Sequence, residues 1–242
     1  MIKLGVLVSG GGSNLQAIID AIDEGRLDAR IVTVISNKAD AYGLERARKA
    51  GIRAVHIDPD ADYRVGYAAC PDSPLPRAGS LSGDMVADCG TARTHIPDTL
   101  SASEKSHLYN CVIRDELQAQ EAEYVVMAGY MKLLGTEVLD AYPLRVLNLH
   151  PALLPSFPGA HGIADALAYG VKVTGITVHF ADEVFDQGPI IAQTAVEVHE
   201  DDTVDTLAER IHKAEHELYP KVLQWIALNL VSVEGRRVHV RH

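Results

Sequence analysis

Two residues at the end of an apolar segment have side chains that could stabilise charge and move protons. Asn148 and His150 lie two positions apart in VLNLHP, and residues two apart in a strand point to the same face. An amide donor beside an imidazole can stabilise a developing oxyanion, and the imidazole can also transfer protons. The spacing therefore favours a catalytic role for His150.

A glycine-rich segment near the start of the chain indicates an anion site. SGGGSN, residues 9–14, lies between a β-rich apolar run and a segment of helical spacing. Glycines allow a sharp turn and close approach to a ligand, and the following helix offers unpaired N–H groups. The missing Gly-Lys-Ser/Thr disfavours a triphosphate loop, and Leu15 replaces the third glycine of a dinucleotide fingerprint. The alternative is a turn in which Ser13 or Asn14 only caps the helix.

An acidic segment, DEVFDQGP at residues 182–189, links two apolar segments. It is either a solvated hairpin turn or a loop that brings one carboxylate beside His150, where it would favour the charged imidazole and orient the ring. A structural role is the default for His161, His179, His212 and His216, although a substrate contact stays open for His212.

The elements around these motifs predict the fold class. Apolar β-rich runs at residues 3–8, 29–37 and 53–58 alternate with helical segments that end at Gly25 and Gly51. This rhythm predicts parallel strands with right-handed crossovers. The short 182–189 link predicts an antiparallel edge near the C-terminus. The predicted class is thus α/β, with a doubly wound, mostly parallel twisted sheet.

The domain organisation predicted is a single domain over 1–242 with a loop-like insertion at about 68–104, rich in proline and serine. A long helical segment, 203–229, contains Pro220, which could kink or split it. The insertion could act as a lid, an oligomer contact or an inert surface extension.

Composition excludes several functional classes. The 242 residues carry a formal net charge of −11, which disfavours binding to nucleic acid or an anionic membrane through the overall field. We expect no membrane span, a start at or near Met1 and a cytoplasmic location. Cys70, Cys89 and Cys111 read as free thiols, and their spacing disfavours a zinc site with His95.

Together these motifs resemble the folate-dependent phosphoribosylglycinamide formyltransferase family. The resemblance covers nearly the whole chain outside 68–104 and the last dozen residues. It is carried by VLVSGGGSNLQAIIDA, ISNKADAYGLERARKAGI, VVMAGYMKLLG, VLNLHPALLPSFPGAHG and HFADEVFDQGPII. It implies a Rossmann-like formyltransferase fold and one-carbon transfer in purine biosynthesis. The substrates implied are glycinamide ribonucleotide and 10-formyltetrahydrofolate, with no metal, in a monomer or homodimer.

The resemblance also implies residue roles. The catalytic residues implied are Asn148, His150 and Asp186. The substrate-binding residues implied are Gly12, Ser13 and Asn14 at the phosphate, and Glu215. The folate-binding residues implied are Arg64, Met131, Lys132, Leu133, Leu134, Asp182, Glu183, Val184, Phe185 and Asp186.

Two other functions stay open. A formyltetrahydrofolate hydrolase would share the Asn-His-Asp set but would not need a phosphate cradle. A non-enzymatic sensor of a phosphorylated metabolite would bind an anion without formyl transfer.

Overall fold

A computed structural model describes residues 1–61, 63 and 100–241. Its elements in chain order are β1 (Ile2–Val8), α1 (Ser13–Asp23), β2 (Ala29–Ser36), α2 (Tyr42–Lys49), β3 (Ala54–His56), α3 (Ala102–Ala119), β4 (Tyr124–Met127), α4 (Thr136–Leu139), β5 (Val146–His150), α5 (Gly162–Tyr169), β6 (Val173–Phe180), β7 (Ile190–Glu197), α6 (Val204–Ala227), β8 (Val231–Glu234) and β9 (Arg237–Val240). The predicted α/β class is confirmed.

Seven strands form one sheet in the order β3-β2-β1-β4-β5-β6-β7. Neighbouring strands from β3 to β5 are parallel, whereas β6 runs antiparallel to β5 and β7 antiparallel to β6. The predicted antiparallel edge is therefore confirmed. The chain moves outward from β1 to β3 and then returns to β4, so the strand order reverses between β1 and β4, the position where open α/β sheets bind ligands.

Helices cover both faces of the sheet, as a doubly wound fold requires. One apolar core joins the sheet to α1, α2, α5 and α6, and a second core joins its other face to α3 and α4. In β1, Leu4 and Val6 enter the first core while Leu7 enters the second, because successive strand residues point to opposite faces. The near-continuous apolar strands noted in the sequence follow from this two-sided burial.

The structure refines three boundaries. α3 begins at Ala102, inside the stretch predicted as loop-like, because Ser101 and Glu104 form a reciprocal capping box. α6 continues across Pro220 and is not split by it. The C-terminal residues after α6 form a hairpin of β8 and β9. Most of the 68–104 stretch, including Cys70, Cys89 and His95, lies outside the described residues.

Candidate active site

A cleft of about 450 Å³ opens at the carboxyl ends of β1, β4 and β5. The glycine turn after β1, the segment after β4, the end of β5, the β6–β7 loop and α6 line it. Ser9 joins two of these segments: its N–H donates to the Gly129 carbonyl (3.1 Å), and its hydroxyl accepts from the Met131 N–H (2.9 Å). The topology therefore gathers segments distant in sequence around one crevice.

The glycine turn enters α1 without a side-chain cap. Gly12 occupies the N-cap position in the left-handed region (φ 69°), and no side-chain cap forms at this helix start within the described residues. A Cβ at Gly12 would lie 2.7 Å from the Gly43 Cα, so this position requires glycine for space as well as for backbone conformation. Neither Ser13 nor Asn14 therefore caps α1. The N-terminus of α1 faces the cleft, and no capping side chain offsets the positive end of its dipole.

Asn14 instead contacts α6 across the cleft. Its Nδ2 donates to Glu215 Oε2 (2.9 Å), and the same oxygen lies 3.0 Å from His212 Nδ1. Asn14 and Glu215 are buried, while the His212 side chain is half exposed. The hydrogen bond that His212 donates to Glu215 raises the pKa of His212, against the opposing effect of partial burial. Asn14 Oδ1 is buried and has no hydrogen-bond partner among the described residues, so it is an unsatisfied acceptor.

The structure brings Asn148, His150 and Asp186 together. His150 Nδ1 lies 3.3 Å from Asp186 Oδ2, and Asn148 Nδ2 donates to Asp186 Oδ1 over 3.4 Å. Asn148 and His150 lie at the end of β5, and Asp186 lies in the β6–β7 loop. The Asp186 side chain is fully buried, so the alternative of a solvated turn is wrong for this carboxylate. All three residues line the cleft.

A further histidine belongs to this cluster. His179 lies opposite Asn148 in the β5–β6 ladder, and its Nε2 is 3.2 Å from Asn148 Nδ2 and 3.6 Å from Asp186 Oδ1. The ring is buried, and its Nδ1 is 2.8 Å from the Phe180 carbonyl. The sequence alone indicates only a structural role for His179, because the strand register that sets it against Asn148 is a tertiary feature.

Two residues with unusual backbone conformations, Phe157 and Asp186, contact the His150 ring. The Phe157 carbonyl lies 2.8 Å from His150 Nε2, and the Gly159 N–H donates to Asp186 Oδ2 (2.8 Å). Phe157 and Asp186 both have left-handed φ values, 53° and 56°, which are uncommon for residues with a side chain. With acceptors at both ring nitrogens, His150 donates to both only when it is doubly protonated.

Asp186 is held in its charged form. Burial acts to raise the pKa of Asp186, but contacts with His179, the Gly159 N–H and the charge on His150 together hold that pKa below its ordinary value. Hydrogen bonds and positive charge that favour a carboxylate have this effect even in a buried position. The carboxylate therefore remains ionised over the neutral pH range.

A narrow cavity of about 20 Å³ adjoins the cleft and shares Asn148, Phe185 and Asp186 with it. Its walls are largely apolar. The predicted folate-site residues that line it are Leu133, Leu134, Asp182, Phe185 and Asp186. Leu133 and Phe185 are exposed at its mouth.

The other predicted folate-site residues take different positions. Met131 lines the larger cleft. Lys132 Nζ lies 5.6 Å from the centre of the Tyr109 ring. Glu183 and Val184 are exposed and line neither cavity, so their side chains are not brought to the site in this structure. Arg64 lies outside the described residues.

Tyr219 on α6, for which the sequence carries no functional signal, contacts the strands that end at the cleft. This fully buried side chain on α6 donates its hydroxyl towards the carbonyls of Met127 (3.1 Å) and Leu147 (3.0 Å). Those carbonyls belong to β4 and β5, so one hydroxyl contacts both strands immediately before the cleft.

Within 1–61, 63 and 100–241, no group of three or more His, Cys, Asp or Glu side chains could hold a metal ion. Over the same part of the chain, no helix has the length and apolar character needed to cross a membrane.

Comparisons with known proteins agree with the motifs and the fold. The formyl transferase family model matches residues 2–223. The chain is 36% identical over 230 residues to phosphoribosylglycinamide formyltransferase of Bacillus subtilis strain 168, covering 95% of this chain and 97% of that protein. The Escherichia coli K12 enzyme of the same name is 36% identical, with 92% of this chain and 85% of that protein covered.

A solved structure is also similar over the full length. Glycinamide ribonucleotide transformylase 1 from Symbiobacterium toebii superposes with a TM-score of 0.79 at 42% identity, covering 100% of this chain and 95% of that one. The uncapped glycine turn, the Asn148-His150 strand end and the sheet order thus occur in a chain that is similar throughout to this group of proteins. The chain belongs to the phosphoribosylglycinamide formyltransferase family.

Proposed function

We propose that this chain transfers the formyl group of 10-formyltetrahydrofolate to the amino group of glycinamide ribonucleotide, a step of purine biosynthesis. The observation that carries the proposal is one cleft with two ends of different chemistry. One end has an uncapped helix N-terminus suited to a phosphate. The other has an amide, an imidazole and a buried carboxylate in contact. A hydrolase of formyl-folate has no use for the first end.

Glycinamide ribonucleotide fits the end near α1. Its phosphate would accept hydrogen bonds from the backbone of Gly12, Ser13 and Asn14, where the helix dipole also favours an anion. Glu215, which lines the cleft beside Asn14, offers a carboxylate acceptor for a sugar hydroxyl. The positively charged form of His212 would face the same substrate. The amino group would then extend towards Asp186.

Formyl-folate fits the other end of the cleft. The apolar side chains of Leu133, Leu134 and Phe185 suit the flat faces of a pterin ring, and the buried carboxylate of Asp186 lies at the inner wall. The cavity is narrow, at about 20 Å³, and the pterin would enter it beside the exposed Leu133 and Phe185 side chains. The pterin would thereby reach the Asn148–Asp186 contact, with its formyl group in the larger cleft.

The chemistry is direct attack by an amine. The substrate nitrogen forms a bond to the formyl carbon, and the carbonyl oxygen becomes an oxyanion. The Asn148 Nδ2–H and the positive charge of His150 stabilise this oxyanion. The C–N bond to folate then breaks, as the amine loses a proton and the folate nitrogen gains one.

The two ring nitrogens of His150 have different roles in proton transfer. Nε2 is held by the Phe157 carbonyl at 2.8 Å, whereas the Nδ1 contact with Asp186 is looser at 3.3 Å. Nδ1 is therefore the nitrogen that donates to the reacting atoms, while the ionised Asp186 accepts the amine proton. The two transfers leave the net proton count unchanged over one turnover.

An absorbance assay of folate product, run with and without glycinamide ribonucleotide, tests the proposal. Product that forms only with the nucleotide supports the transferase. Product without the nucleotide would instead identify a hydrolase, and nucleotide binding with no product would identify a sensor. The Asn148→Ala protein is the control, because it keeps the phosphate end of the cleft and loses the oxyanion donor.

A further inference from the structure

The helix α2 packs against the back of the glycine turn, on the side away from the reacting groups. Arg46 Nε donates to the Gly11 carbonyl (2.8 Å), and Arg46 Nη1 donates to Gln16 Oε1 (3.0 Å) on α1. The guanidinium carbon also lies 4.9 Å from the centre of the Tyr42 ring, a cation–π distance. Three contacts from separate elements therefore hold this side chain in one orientation.

A second contact from α2 acts on the preceding peptide unit. The Gly43 N–H donates to the Gly10 carbonyl (3.0 Å). Gly43 itself approaches so closely that a Cβ on it would lie 3.0 Å from Val8 Cγ2. The backbone and one side chain of α2 thus hold two successive carbonyls of the turn, those of Gly10 and Gly11.

Because the peptide unit is planar, these contacts also set the direction of the N–H groups of Gly11 and Gly12. A trans peptide is planar, and its carbonyl and the following N–H point in opposite directions. Because the Gly10 and Gly11 carbonyls point towards α2, the N–H groups of Gly11 and Gly12 point away from it. No atom of the described chain accepts a hydrogen bond from either N–H, and both glycines line the cleft.

We infer that Arg46 is a positioning residue for the substrate phosphate, which acts by holding the Gly11 carbonyl so that the Gly12 N–H faces the anion. This inference rests on the proposed function, since it assigns the phosphate of that substrate to the glycine turn. Arg46 does not line the reaction cleft; it lines a separate depression on the other side of Ser13. Its effect on the ligand is therefore carried through the backbone of the turn.

The alternative is that Arg46 only contributes positive charge. Three substitutions separate the two roles, because they keep or remove the Nε donor and the charge independently. In Arg46→Gln, the amide nitrogen occupies the position of Arg Nε, so a donor to Gly11 remains while the charge is lost. Arg46→Lys keeps the charge but has a methylene at that position. Arg46→Met removes both, and Arg48→Gln removes an exposed charge from the same helix as a control.

Steady-state kinetics of formyl transfer test the positioning role. Losing a hydrogen bond to a charged donor typically weakens an interaction by about tenfold or more. We therefore expect Arg46→Lys and Arg46→Met to raise the KM for glycinamide ribonucleotide by about tenfold, with kcat and the folate KM little changed. Arg46→Gln and Arg48→Gln should stay within about threefold of the parent protein.

Stabilisation by inorganic phosphate gives a reading that does not depend on turnover. The phosphate concentration that gives a set rise in Tm should increase about tenfold in Arg46→Lys and Arg46→Met, and little in Arg46→Gln. A parent protein with phosphate stabilisation but no formyl transfer would refute the proposed function and leave this inference intact. A normal Arg46→Lys beside an impaired Arg46→Gln would overturn the inference in favour of charge alone. Arg46→Met at parental values in both assays would overturn it outright.

Discussion

Replacing Asp186 by asparagine tests the charge at the centre of the site with little change of shape. The asparagine keeps an oxygen that can accept from the Gly159 N–H, so we expect the fold to survive. What is lost is the carboxylate charge 3.3 Å from His150. At an effective dielectric constant of about 20, that pair interaction is about 5 kcal/mol, which is an upper limit for its effect on the barrier.

Converted to rate, this upper limit corresponds to a loss of nearly four orders of magnitude, and about 100-fold is the lower end expected for a proton-transfer partner. We therefore expect kcat to fall by between about 10²- and 10⁴-fold. The assay is absorbance of folate product at saturating substrates, with Tm measured in parallel. Asp165→Asn is the matched control, since Asp165 is an exposed aspartate on α5.

A kcat for Asp186→Asn within fivefold of the parent value, in a protein of normal Tm, would contradict the reasoning. It would mean that the charge of this carboxylate is not used in the reaction. A collapse of Tm in the same variant would show that Asp186 acts mainly in folding, and the kinetic assignment would then fail as well.

Three further predictions follow from other parts of the site. Asn148→Ala should lower turnover by at least about 100-fold, because an oxyanion donor of this kind is typically worth ~3–4 kcal/mol of barrier; near-normal turnover would remove that role. The pKa of His212 is raised, so its positive charge persists above the ordinary pH range of histidine and is lost as pH rises through the raised value. The KM for the phosphorylated substrate should therefore increase over that pH window. The His212→Gln protein should not show this increase. Tyr219→Phe should lower the free energy of unfolding by about 1 kcal/mol, since it removes the buried hydroxyl that donates to the Met127 and Leu147 carbonyls, and urea unfolding with an unchanged midpoint would contradict this.

The local elements could be predicted from the sequence because their signals are short-range. The β1 and α1 boundaries follow from an apolar run, a glycine turn and helical spacing within about two dozen residues. Asn148 and His150 could be paired for the same reason, since a strand sets residues two apart on one face. The end of the loop-like stretch was misjudged by a few residues, because the capping box at Ser101 starts a helix before its apolar periodicity becomes clear.

The contacts between those elements required the tertiary structure. The approach of Asp186 to His150 depends on the β6–β7 loop folding over the end of β5, and the entry of His179 depends on the β5–β6 register. The family resemblance alone singles out Asp186 among the carboxylates of the acidic segment, and the sequence indicates only a structural role for His179. The family resemblance also implies a folate-site role for Lys132, but the Lys132 side chain packs over the Tyr109 ring.

By itself, the sequence determined the α/β class, the glycine turn and the strand-end Asn-x-His pair, because these depend on residues near one another in the chain. Only the tertiary structure decided that the turn is uncapped, that α2 holds it from behind through Arg46, and that Asp186 is buried among two imidazoles and an amide. Those features depend on strand order, register and the approach of two helices at glycines. The physical reason is that hydrophobic periodicity records which face of an element is buried, but not which partner buries it.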